Sequence, residues 1–81
     1  MPRRKARLEI GCRAFEELER LYDVKKRGNK LLVSKMIGCD RKVIGGWENG
    51  VAPDAIYLQR LHEIGADVIY ILTGRRSEDG K

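Results

Sequence analysis

The chain has 81 residues, 42% hydrophobic and 6% aromatic, which suits one domain around one modest core. No apolar run approaches the roughly 20 residues of a membrane span, and no charged start leads into an apolar signal segment, so a soluble cytoplasmic protein is expected. The net charge of +5 is unevenly spread: residues 1–50 hold 13 Lys and Arg against 7 Asp and Glu, residues 51–81 hold 4 against 5. A basic first half suits a polyanionic partner, because cations that neutralise phosphates release counterions, although the same charge can serve solubility alone.

In chain order, residues 1–7 carry four positive charges without apolar periodicity and read as a mobile basic arm. In such an arm Arg3, Arg4 and Lys5 either touch phosphates or enter a minor groove, or they form a solvated terminus. From Leu8 to Tyr22, Leu8, Cys12, Phe15, Leu18 and Tyr22 recur at helical spacing and predict a first helix with a buried face. Glu16 and Glu17 are assigned to its solvated side, beside Arg13 and Arg20. Residues 23–29 predict a basic loop, with Asn29 capping the helix that follows.

The segment at residues 30–50, KLLVSKMIGCDRKVIGGWENG, sets Val33, Ile37, Cys39, Ile44 and Trp47 at fixed offsets around Gly38. That spacing predicts two short helices, about 30–37 and 40–48, meeting at a tight turn. Ser34 is small enough for the second helix to cross the first, Gly38 can take a positive φ, and Asp40 can cap the second helix. Arg41, Lys42, Gly45 and Gly46 then lie outside. This is the sequence form of a helix-turn-helix, whose second helix enters the major groove.

Pro53 marks a turn before a fourth helix, about 54–64, with Ile56, Tyr57, Leu61 and Ile64 on or near its buried face and Gly65 at its end. Asp67 caps a last short helix, 68–72, whose five residues are all apolar. So short a helix cannot turn them all inward, and Ile69, Tyr70 and Leu72 are candidates for burial against a second copy of the chain. Residues 75–81 read as a polar tail.

The segment at 30–50 with its WENG ending, and the run PDAIYLQRLHEIGADVIYILTG at 53–74 with its G-x-D-x-x-Y-x-L-T-G close, resemble the lambda-repressor-like (Xre/Cro) helix-turn-helix proteins, in particular bacteriophage repressor N-terminal domains. The resemblance covers roughly residues 8–74. It implies an all-α, five-helix DNA-binding domain, preceded by the arm at 1–7 and followed by the tail at 75–81. It implies a sequence-specific transcriptional regulator, a phage or prophage repressor acting as a homodimer on double-stranded DNA.

Residue by residue, the resemblance places Arg41 and Lys42 where base edges, or alternatively phosphates, are contacted. It places Lys30, where a glutamine is common, and Asn49 at phosphate-binding positions. Gly45 and Gly46 depart from the pattern, since relatives carry reading side chains there. Asn49 and Gly50 can equally serve only to end the helix. No nucleophile and base pair, phosphate loop or metal-ligand cluster marks an enzyme, and two distant cysteines with one histidine imply neither a disulfide framework nor a metal or other cofactor. A second reading keeps the scaffold as a protein-interaction module: an antirepressor, antitoxin or adaptor.

Overall fold

The computed structural model describes residues 3–76, with side chains from Glu9 onward. Five helices follow in order: α1 (Arg3–Tyr22), α2 (Asn29–Ile37), α3 (Arg41–Glu48), α4 (Ala55–Glu63) and α5 (Val68–Thr73). The architecture is all-α, with no strand among the described residues. No helix among them is long and apolar enough to cross a membrane.

The first helix begins at Arg3, earlier than its apolar periodicity, so the backbone is already helical where an arm was expected. Arg, Lys, Ala and Leu are all good helix formers, and nothing between Arg3 and Ile10 breaks the pattern. The side chains of Arg3, Arg4 and Lys5, expected on phosphates, lie outside the described residues, as do residues 77–81 of the tail.

α1 lies across α3 and α5 and carries the centre of the core. Ala14, Phe15 and Leu18 meet Val33 and Ile37 of α2, Ile44 and Trp47 of α3, Leu61 of α4 and Ile71 of α5. The buried arc of α1 is centred on Ala14 and Leu18. Cys12 falls beyond its edge and is exposed, against the expectation that it would be core. Ile56 is likewise exposed rather than buried, because α4 turns Leu61 fully inward and leaves Ile56 on the outer side.

Glycine serves two different ends here. Gly38 has φ 85°, and Gly65 has φ 99°, which lets the Ala66 amide donate to the Leu61 carbonyl at 2.9 Å and close α4. Gly11, in mid-helix, is required by proximity instead: a methyl group there collides with the Val51 carbonyl oxygen. The backbones of α1 and the 50–51 turn approach one another through that gap.

Glu17 departs furthest from expectation. Its side chain is fully buried rather than solvated, because α5 and the residues after it fold over that flank of α1. Arg20 grips the carboxylate with two hydrogen bonds of 2.8 and 3.0 Å, the Asp67 amide donates to it at 2.8 Å, and Arg76 closes the cage. Burial works against its charge, but these donors and the Arg20 cation outweigh burial and bring the pKa down to about 2. Arg76 also lies over the Tyr70 ring at 4.0 Å, so the segment after α5 is held to α1 at its start.

Candidate nucleic-acid interface

The α2–turn–α3 unit follows from local rules. The Gly38 and Cys39 amides both donate to the Ser34 carbonyl, at 2.8 and 2.9 Å, which closes α2. Asp40 then accepts from the Lys42 amide at 2.9 Å and opens α3. Ser34 is buried, and its hydroxyl donates to the Leu31 carbonyl at 2.6 Å. Cys39 is half-buried; burial, then the nearby Asp40 charge, pushes its thiol pKa up and keeps it a small neutral hydrophobe. Asn29 does not cap α2. Gly28 holds that position, and the Asn29 amide group reaches back to the Tyr22 and Asp23 carbonyls at 3.0 and 3.1 Å, closing α1 instead.

α3 is divided sharply between inside and outside. Ile44 and Trp47 are buried, and Trp47 meets Tyr57 edge-on at 5.8 Å, which fixes the rotation of the helix about its axis. With that rotation set, Arg41, Gly45, Lys42 and Gly46 form one continuous outer strip, since residues four apart share a face. Arg41 and Lys42 are exposed. A Cβ at Gly45 meets nothing within 4 Å, whereas one at Gly46 meets Val51 at 3.6 Å. The strip is therefore two adjacent cations followed, one turn along, by bare backbone, open at Gly45 and bordered by Val51 at Gly46.

Lys30 and Asn49 border this strip. Lys30 is engaged within the chain: its Nζ lies 3.5 Å from a Glu48 carboxylate oxygen and 5.7 Å from the centre of the Phe15 ring. A half-exposed pair of that length is weak, and a phosphate can compete for the lysine. Asn49 is exposed and forms the C-cap of α3, with Gly50 at φ 98° beyond it, which is the helix-ending role. The fold brings Arg41, Lys42, Gly45, Gly46, Lys30 and Asn49 onto the α2–α3 half of the molecule.

The three α5 candidates are divided. Ile69 and Leu72 are exposed, while Tyr70 turns back, donating its hydroxyl to Glu16 at 2.6 Å. That hydrogen bond is the main reason its phenol pKa is raised.

Three residues that hold the helices in place carry no signal in the sequence. Arg60 of α4 donates to the Ile37 carbonyl at 2.7 Å and so caps α2 from outside. Gly11 admits the 50–51 turn behind α3, and Glu17 anchors α5. A lone arginine on an amphipathic helix, a glycine inside a helix and one of two adjacent glutamates look ordinary until tertiary neighbours are known. No family model matches the chain, and searches of curated proteins and of solved structures gave no match.

Proposed function

We propose that this chain binds double-stranded DNA as a sequence-specific transcriptional regulator, of the kind found among phage and prophage repressors. In this reading α3 lies in the major groove. The observation that carries it is the opposition on α3: Ile44 and Trp47 are buried inside, and Arg41 and Lys42 are exposed on the opposite side of the same helix. Arg41 reads guanine through O6 and N7, a bidentate contact worth about 1–3 kcal/mol of base discrimination. Lys42 reads a neighbouring base or holds a phosphate.

Gly45 and Gly46 supply no side chains for readout, so specificity rests on Arg41, Lys42 and the shape of the groove that the bare strip admits. Lys30 exchanges its Glu48 partner for a phosphate, and Asn49 holds the backbone at the far end of α3. The basic excess of residues 1–50 supports the same partner. Pairing of two copies through Ile69 and Leu72 would set two α3 helices on half-sites about one helical turn, roughly 34–36 Å, apart.

Selection of bound sequences from a random duplex library tests this directly. A consensus, palindromic if the chain acts as a dimer, is the expected result. Recovery of unenriched sequence, or of no DNA at physiological salt, overturns it.

A further inference from the structure

The outer face of α2 combines exposed aliphatic side chains with positive charge. Leu31, Leu32 and Met36 stand 42%, 58% and 50% exposed on it, with the exposed Lys35 among them. They share one arc of the helix, opposite the buried Val33 and Ile37. Along the chain the charge here is of one sign, since residues 24–39 contain Lys25, Lys26, Arg27, Lys30 and Lys35 and no acidic residue; in space Glu48 of α3 pairs with Lys30 and Glu19 of α1 accepts from the Lys25 amide. An apolar face pressed against phosphates would lose hydration of the anions without returning a hydrogen bond, so this face does not serve the proposed DNA contact.

We propose that the outer face of α2 is a docking surface for an acidic amphipathic helix of a partner protein. Charge complementarity selects this occupant. Leucines of the partner pack against Leu32 and Met36, whose unbranched thioether chain adapts to varied shapes. Glutamates or aspartates along the partner's flanks meet Lys35 and the Lys25–Arg27 loop at the head of α2. An anionic membrane would satisfy the charge, but three aliphatic side chains on a nine-residue helix without an aromatic anchor make a small insertion surface. The surface is separate from the outer strip of α3, so the inference stands whether or not the chain binds DNA.

The test titrates the isotope-labelled full chain with a synthetic helical peptide carrying leucines on one face and glutamates on the other. Parallel titrations use the same peptide with lysines replacing glutamates, and vesicles of phosphatidylserine and phosphatidylcholine. Amide shifts centred on residues 31–36, saturating with the acidic peptide alone, are the expected result. Leu32→Ser with Met36→Ser, and separately Lys35→Glu, each weaken that binding about tenfold or more with the fold intact by circular dichroism. Absence of saturable shifts, shifts centred elsewhere, equal binding of the basic peptide, or binding of vesicles only would each overturn the proposal.

Discussion

The guanidinium of Arg60 donates to the Ile37 carbonyl at 2.7 Å and fills the space directly beside Gly38. One side chain from α4 thus satisfies the end of α2 and occupies the room that any residue larger than glycine would need at the turn. Arg60→Ala should cost about 1–2 kcal/mol through the lost charge-assisted hydrogen bond. Gly38→Ala should cost at least as much, because positive φ and displacement of Arg60 act together. Urea unfolding followed by circular dichroism checks both, and a near-additive double variant would show that the two residues do not act as one unit.

The two helical glycines at 11 and 45 should respond oppositely to alanine. Gly11→Ala drives a methyl group into the Val51 carbonyl and should destabilise by about 1–3 kcal/mol, in spite of the better helix propensity. Gly45→Ala meets open space and should stabilise by about 0.5–1 kcal/mol. Thermal denaturation of the pair separates a glycine kept for packing from one whose absent side chain has no folding purpose. If the stabilised Gly45→Ala protein binds selected DNA less well, the bare strip is itself part of the contact.

Acid should unfold the protein through Glu17. Its folded pKa of about 2 lies below the ordinary glutamate value of 4.5, so the stabilisation is complete above about pH 4.5 and is lost as pH falls towards 2. The loss should be on the order of 1–3 kcal/mol across that window. Glu17→Gln should remove this part of the acid dependence and be less stable at pH 7, because Arg20 and Arg76 lose the buried carboxylate that both grip. Stability profiles against pH for the two proteins check it, and parallel profiles below pH 4.5 would contradict it.

Much of this was legible in the sequence because the deciding interactions are local. Gly38, Asp40, Asp67 and Gly65 act within a few residues of themselves, and the 3.6-residue periodicity locates Ile44 and Trp47 without tertiary knowledge. Cys12, Glu17 and Ile56 read differently because helical phase alone does not say how wide the buried arc is. α5 and Arg76 widen it on one flank of α1 to cover Glu17, whereas on the other Cys12 reaches only the Glu48 carbonyl and stays exposed. Asn29 shows a related ambiguity: an asparagine between two helices can close the one behind or open the one ahead, and here the two carbonyls at the end of α1 decide. The outward face of α3 follows from its inward face, whereas the exposed leucines of α2 could not be told from core residues by periodicity.

In the proposed mode of binding Arg41 reads bases while Lys30 holds the backbone. Fluorescence anisotropy of a selected duplex and a scrambled one, across a salt series, measures it with wild type, Arg41→Ala and Lys30→Ala. Arg41→Ala should weaken the selected duplex by about 1–3 kcal/mol more than the scrambled one. Lys30→Ala should weaken both alike and reduce the salt slope by about one. Equal losses on both duplexes from both variants, or binding of wild type that ignores salt, would contradict it.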